Sequence, residues 1–258
     1  MIQTQQIRVE LEKALAFAEP TVDIRQFIAF PPKEITESEN KAPALLIYGL
    51  NIFSKCLISA LLTEASINPG HAEPIGILAA QIFSMDTFMY KGIHMSDILW
   101  AKYRVVCPAL WGFTGNDKTE AGRRALGWWR EDTDGPFVSE QTHLDRMTAL
   151  GAGYAAITLR NFGRTQRRNP FPNTMFWMTM QKLLSIPPTE VQDTHIILLH
   201  ALLKNSAERI LGFFGQFGLV LLRKAIVDFP AALSRHSMCV NQLKLLQEIY
   251  FKERNIVV

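Results

Sequence analysis

The sequence predicts an all-α fold, a stack of helical repeats of the HEAT kind, and three observations point there. Apolar residues recur at steps of three and four across successive segments, the period of one helix face. Strict apolar–polar alternation, the mark of a half-buried strand, is rare. The periodic segments follow one another through short connections, which lays neighbouring helices side by side. With 258 residues and 48% hydrophobic content the chain can bury a large core, and 20% charged residues place it among soluble globular proteins.

Taken in order, Ile7, Leu11 and Leu15 define the face of a first helix that ends near Glu19–Pro20. Its abrupt opening fits a piece from the end of a longer protein, and its polar, amphipathic character is unlike a secretory signal. Asp23 to Phe30 reads as a short helix stopped by Pro31–Pro32, and Lys33 to Lys41 as a polar loop. Residues 1–42 are assigned to an N-terminal helical segment and linker, packed on one continuous helical-repeat domain over 43–258. Pro43 opens a long helix through Ser66, apolar over so much of its surface that burial all round is expected, with Lys55 its conspicuous charge. Asn68–Pro69–Gly70 is a turn, and Pro74 suits the first turn of the next helix, Ile75 to Phe83.

The stretch from His94 to Gly112 carries the densest local signals. Ser96 is a good N-cap, because its hydroxyl can accept an orphan backbone N–H, and Asp97 complements the positive helix end. Lys102 and Arg104 fall in the last turn, and Cys107–Pro108 stops the helix because proline disfavours helical geometry in the residue before it. Lys102 and Arg104 either cap this helix end or bind an external group. Further on, Ala121 to Arg130 reads as a helix, and Ser139 to Phe162 as a long one whose Gly151 and Gly153 imply the close approach of another backbone. The loop Gly163 to Asn173 is basic and proline-rich, and Asn173 caps a helix over Thr174 to Ser185. Helix follows helix from Thr189 to Lys252, broken near Asn205, Gly215–Gly218 and Pro230; the apolar run Ile210 to Leu222, too short to span a bilayer, reads as core.

The net charge of +3 argues against a protein dedicated to coating nucleic acid but allows a local basic patch. Cys56, Cys107 and Cys239 are far apart and odd in number, so neither a disulfide framework nor a CxxC metal site is indicated, and a reducing compartment is expected. No nucleophile elbow, P-loop, dinucleotide fingerprint or HExxH occurs. His195 and His200 are five apart on an apolar helix, a poor spacing for one ligand face. Cys107 is either activated by a neighbouring cation or an inert thiol before a proline. Trp128–Trp129 and Phe213, Phe214 and Phe217 are either core aromatics or partner-binding surfaces. Dispersed cations remain: Lys55, Lys102, Arg104 and Arg146, with a separate basic loop at Arg164, Arg167 and Arg168 that suggests a weaker, direct RNA-binding alternative.

Several segments, in order, resemble a known family. EPIGILAAQIF, SDILWAKYRVVCP, RRALGW and HLDRMTALGAGYAAI are similar to the carboxy-terminal domain of the Gle-one (GLFG-lethal one) mRNA export factors, with weaker similarity through FWMTMQKLLSIPP and ILLHALLKNSAERIL. The resemblance spans roughly Pro43 to Lys252 and looks fungal. It implies an all-helical HEAT- and MIF4G-like fold without catalysis of its own, at the cytoplasmic face of the nuclear pore. It further implies binding and stimulation of a DEAD-box ATPase, inositol hexakisphosphate bridging the two proteins, and docking of a short FG nucleoporin segment. A translation-factor-like helical scaffold that grips a DEAD-box protein without that ligand is the alternative, and translation initiation or termination factors are possible partners.

Carried over residue by residue, the phosphate-binding positions of the family fall on Lys55, Lys102 and Arg146, with Lys33 a further candidate in a poorly aligned loop. A cation expected just before Cys107 is Val106 here, and another before Arg146 is Asp145, with Arg104 a candidate to compensate. Phe213, Phe214 and Phe217 are the candidate nucleoporin contact.

Overall fold

The structure is a computed structural model that describes residues 2–29, 35–132, 134–163 and 166–258. Helix α1 (Ile2–Leu15) is followed by two three-residue strands, β1 (Thr21–Asp23) and β2 (Lys41–Pro43), paired antiparallel with Val22 opposite Ala42. A short 3-10 turn, Ile24–Phe27, stands where a helix over Asp23 to Phe30 was expected. The Asp23 carboxylate explains the difference: it accepts the Arg25 backbone N–H at 3.0 Å and pairs with the Arg25 guanidinium, a local turn that competes with helix continuation.

The remaining elements are helical. They are α2 (Ala44–Ala60), running on through a π-helical turn at Leu61–Ala65, then α3 (Ala72–Phe83), α4 (Asp97–Val106) and α5 (Glu120–Ala125). After these come α6 (Glu140–Thr158), α7 (Asn173–Leu184), α8 (Asp193–Lys204), α9 (Ala207–Arg223), the single turn α10 (Phe229–Ala231) and α11 (Met238–Arg254). The all-helical expectation therefore holds apart from the small β1–β2 ribbon.

Helix α6 is the spine, packed by α3 on one side and α8 on another. Glycine makes both approaches possible. A Cβ on Gly76 of α3 would meet the Ala156 backbone of α6 at 2.8 Å, and one on Gly151 would meet Ala201 Cβ and Leu198 O of α8 at 2.8 and 3.3 Å. Gly153 differs from expectation, since side chains crowd it: Leu61 Cδ1 at 2.5 Å and the Tyr103 hydroxyl at 2.7 Å. Leu50, Phe83, Leu99, Leu150, Leu198, Leu222 and Leu243 are all buried in one contiguous core that also takes in Leu11 and Ile24 from the N-terminal segment. Each such side chain contributes about 1.5–3 kcal/mol on burial.

Two helices depart from the burial expected of them. Helix α2 is not buried all round; Leu45, Tyr48 and Ile52 form an exposed stripe in line with Lys55 and Cys56, and Tyr48 is 62% exposed. In α9, Ile210, Leu221 and Leu222 are core, but Phe217 and Val220 face outward at 75% and 66% exposure. The stretches Ala44–Ala65 and Ala207–Ala231 are long and apolar enough to cross a membrane, yet each gives part of its apolar surface to the core.

Candidate functional site

The C-terminal half of α4 is fixed in rotation by its buried face. Tyr103 is fully buried and its hydroxyl donates to the Leu150 carbonyl of α6 at 2.9 Å. Trp100 is the hub of an aromatic cluster, with Tyr154 at 4.9 Å, Phe171 at 5.1 Å, Tyr103 at 5.4 Å and Trp111 at 6.2 Å between ring centroids. Ser96 makes no capping hydrogen bond, contrary to expectation. The Asp97 carboxylate instead accepts the Ala29 backbone N–H at 2.8 Å, tying α4 to the N-terminal segment.

With Tyr103 pointing inward, about 100° per residue places Lys102 and Val106 on one flank of α4 and Arg104 on the other. Lys102 and Val106 are half-buried, Arg104 and Val105 exposed. The Arg104 guanidinium lies 5.5 Å from the centre of the Phe113 ring, away from the flank where Val106 leaves a cation missing. Geometry thus separates Arg104 from Lys102, and Arg104 is not placed to make good the charge lost at Val106.

The other wall comes from the turn after α5 and from α6. Gly127, at φ +86°, is pressed against the end of α4: a Cβ there would meet Val106 O at 2.9 Å and Pro108 Cδ at 3.0 Å. Only a residue without a side chain lets the turn sit there. The turn delivers two indoles to two cations. Arg146 of α6 stacks on Trp129 with its guanidinium carbon 4.2 Å from the ring centre. Trp128 is sandwiched between Arg123 at 4.8 Å and the His143 ring, which stacks on it at 4.2 Å and 15°. Trp128 and Trp129 are half-buried, neither core nor free surface.

Arg146 is the unusual member. It is half-buried, its Nε is buried without a hydrogen-bond partner, and among the described residues it has no acidic partner. Burial pulls its pKa below the usual arginine range. By contrast Arg123 donates to the Asp117 carbonyl at 2.6 Å, and Arg130 pairs with Glu120 at 3.1 Å and donates to Gly135 O at 2.7 Å. Asp145, where a cation was expected, accepts from Gln141 and points to an ordinary surface role.

Burial, then Arg146 and Arg123, hold the His143 pKa down to about 3, so this imidazole stays neutral. Its Nε2 shares a hydrogen bond with Thr194 Oγ1 at 2.9 Å. His195 is a structural cap: its Nδ1 accepts the Gln192 backbone N–H and its Nε2 lies 3.0 Å from the Phe113 carbonyl. Cys107 is fully buried and burial pushes its thiol up to about 12, which favours the inert reading over the activated one. All three cysteines are free. Among the described residues no group of three or more His, Cys, Asp or Glu side chains could hold a metal ion.

Of the remaining candidates, Lys55 lies on the exposed face of α2, the helix that packs against α4. Lys33 falls outside the described residues, as does Arg164; Arg167 and Arg168 are exposed beside a cavity that Asp86 and His94 also line. Phe213 and Phe214 are half-buried, with Phe214 5.0 Å from the Trp177 ring, while Phe217 projects from α9 just after Gly215, whose φ of +55° kinks the helix. The Trp129–Arg146 and Trp128–His143 stacks were missed from sequence. The signal was present as RRALGWWR, three arginines and two tryptophans around a glycine, but not the identity of the partners.

A family model described as GLE1-like protein matches residues 2–225. The mRNA export factor GLE1 of Chaetomium thermophilum is 39% identical over 258 residues, 99% of this chain and 47% of that protein. That of Saccharomyces cerevisiae is 24% identical over 176 residues, 67% of this chain and 31% of that protein. The chain thus spans about half or less of the length of the curated relatives it matches. A solved structure, the S. cerevisiae Dbp5 C-terminal domain bound to Gle1 and IP6, superposes with a TM-score of 0.72 at 20% identity over 83% of this chain and 71% of that one, a likeness of fold. On the breadth of the family match and its agreement with the helical architecture, this chain belongs to the GLE1-like family.

Proposed function

We propose that this chain is a non-catalytic regulator of mRNA export. It binds and stimulates a DEAD-box RNA-dependent ATPase at the cytoplasmic face of the nuclear pore, with inositol hexakisphosphate bridging the two. The observation that carries this is Arg146, a half-buried guanidinium without a counter-ion among the described residues. An unpaired buried charge is costly, and it is retained where an external anion completes it. The names of the relatives, mRNA export factors, and a solved complex holding both Gle1 and IP6 support the same reading.

Arg146, Lys102 and Lys55 are the phosphate-facing cations in this proposal. Arginine supplies directional hydrogen bonds and the lysines act as point charges, which a ligand with many phosphates can use at several angles. Lys33 stays a further candidate, and Arg104 a peripheral one on the far flank of α4. The N-terminal segment and the helices from Pro43 act as one unit. The exposed face of α9 at Phe217 and Val220 is the candidate dock for an FG nucleoporin segment, with Phe213 and Phe214, half-buried before the Gly215 kink, as further candidates.

Bridging has a thermodynamic consequence: if the ligand tightens the ATPase complex, the complex tightens ligand binding by the same factor. Stimulation further requires preference for one ATPase conformation, because equal affinity for all states shifts nothing. The test is ATP turnover by the cognate DEAD-box protein with this chain, with and without inositol hexakisphosphate. Stimulation that grows with ligand is expected. No stimulation in either condition overturns the proposal, and equal stimulation in both favours the translation-factor-like scaffold.

A further inference from the structure

The tryptophan against Arg146 is more than packing. A free arginine side chain samples many rotamers, and an anion that binds it must first restrict them. Here that restriction is already made. The Arg146 guanidinium lies 4.2 Å from the Trp129 ring centre, its Nε is buried with no partner, and among the described residues its terminal nitrogens make no ion pair, which leaves them to meet an anion.

Trp129 is itself held. Gly127 seats its turn on the end of α4, and the Val138 backbone N–H donates to the Trp129 carbonyl at 3.2 Å. Arg130, the next residue, is fixed over Phe137 at 4.5 Å and by its bond to Gly135 O. The neighbouring indole, Trp128, is clamped between Arg123 and His143.

We infer that Trp129 is a positioning residue for the polyphosphate site: its indole face pre-orients the Arg146 guanidinium beside the C-terminal end of α4. The inference rests on Arg146 being a phosphate ligand. Trp129 does not contact the ligand's phosphates; it acts through Arg146, where an aromatic face attracts a cation and keeps it oriented.

The experiment is calorimetric titration with inositol hexakisphosphate of the wild type, Trp129→Leu, Trp129→Phe, Arg146→Gln and the Trp129→Leu/Arg146→Gln pair, with a thermal melt of each. Trp129→Leu should bind about five- to tenfold more weakly, the range of a partly desolvated cation–π contact. Trp129→Phe, which keeps a ring face, should stay within about twofold of wild type. In the Arg146→Gln background Trp129→Leu should change affinity no further, because the pair acts as one unit. A purely structural tryptophan would lower affinity equally in both backgrounds, and that result overturns the inference. Should the leucine variant fail to fold, Trp129→Met against Trp129→Phe makes the same comparison. A wild type that binds the ligand while Trp129→Leu binds equally well refutes the positioning role alone. A wild type that does not bind it overturns the underlying site reading as well.

Discussion

Substituting Gly76 by alanine tests how the stack is held together. Its Cβ would stand 2.7 Å from Ala156 Cβ and 2.8 Å from the Ala156 carbonyl carbon. Carbon atoms attract at about 3.5–4.0 Å, so α3 would have to move away from α6 by about 1 Å. The obstacle is helix backbone, which cannot rotate aside as a flexible side chain can. Overpacking of a tight core costs about 1–3 kcal/mol, towards the upper part of that range when backbone must move. Alanine's better helix propensity offsets about 1 kcal/mol of it. The net loss is about 1–2 kcal/mol, a fall in melting temperature of about 2–8 °C for a domain of this size.

Gly212 on α9 is the internal control. A Cβ there meets nothing within 4 Å, so Gly212→Ala should stabilise by about 0.5–1 kcal/mol through propensity alone. Melts followed by circular dichroism, with urea midpoints as a second measure, compare the two directly. A Gly76→Ala protein that melts at or above wild type refutes the contact between α3 and the α6 backbone.

Other perturbations are equally defined. Replacing Lys55, Lys102 and Arg146 together by glutamine should abolish ligand-dependent stimulation of the ATPase while helical content and melting temperature stay near wild type; an unfolded variant would show the charges to be structural. Arg146→Gln alone should also remove any rise in melting temperature that inositol hexakisphosphate gives the wild type, since only a ligand that binds the folded state stabilises it. Acid should destabilise the protein through His143 and His200, buried imidazoles held at about 3 and about 4 by burial. Because the unfolded chain takes up protons near pH 6.5 and the folded one does not, stability is complete above that pH and declines below it, by about 2 kcal/mol per histidine at pH 5. Equal urea midpoints at pH 7.5 and pH 5 would contradict this. Phe217→Ser should leave the melting temperature unchanged, since the ring is 75% exposed, and weaken capture of an FG nucleoporin peptide; unchanged capture removes Phe217 from the docking face.

The sequence by itself determined the helices, many of their ends, and the close approach at Gly151 of α6. Period, Pro108 after Cys107 and Gly151 of α6 act over a few residues, and local signals of that range are readable in one dimension. It also located the segments that join this chain to its family. Local competition defeated the reading at Asp23, where a turn through Arg25 replaced a helix, and at α2 and α9, whose apolar composition concealed an exposed stripe. Composition counts apolar residues, whereas burial depends on how many neighbours a helix finds.

Only the tertiary structure decided what each cation meets. Lys102 and Arg104 stand two positions apart, yet the inward anchor at Tyr103 sends them to opposite flanks of α4. Arg160 and Arg209 both find Glu73, at 2.5 and 2.7 Å, and share its one carboxylate. Arg146 finds the face of Trp129 and, among the described residues, no acid. A charge's worth as a binding group depends on its partner and its hydration, and both are set by residues brought together from distant parts of the chain.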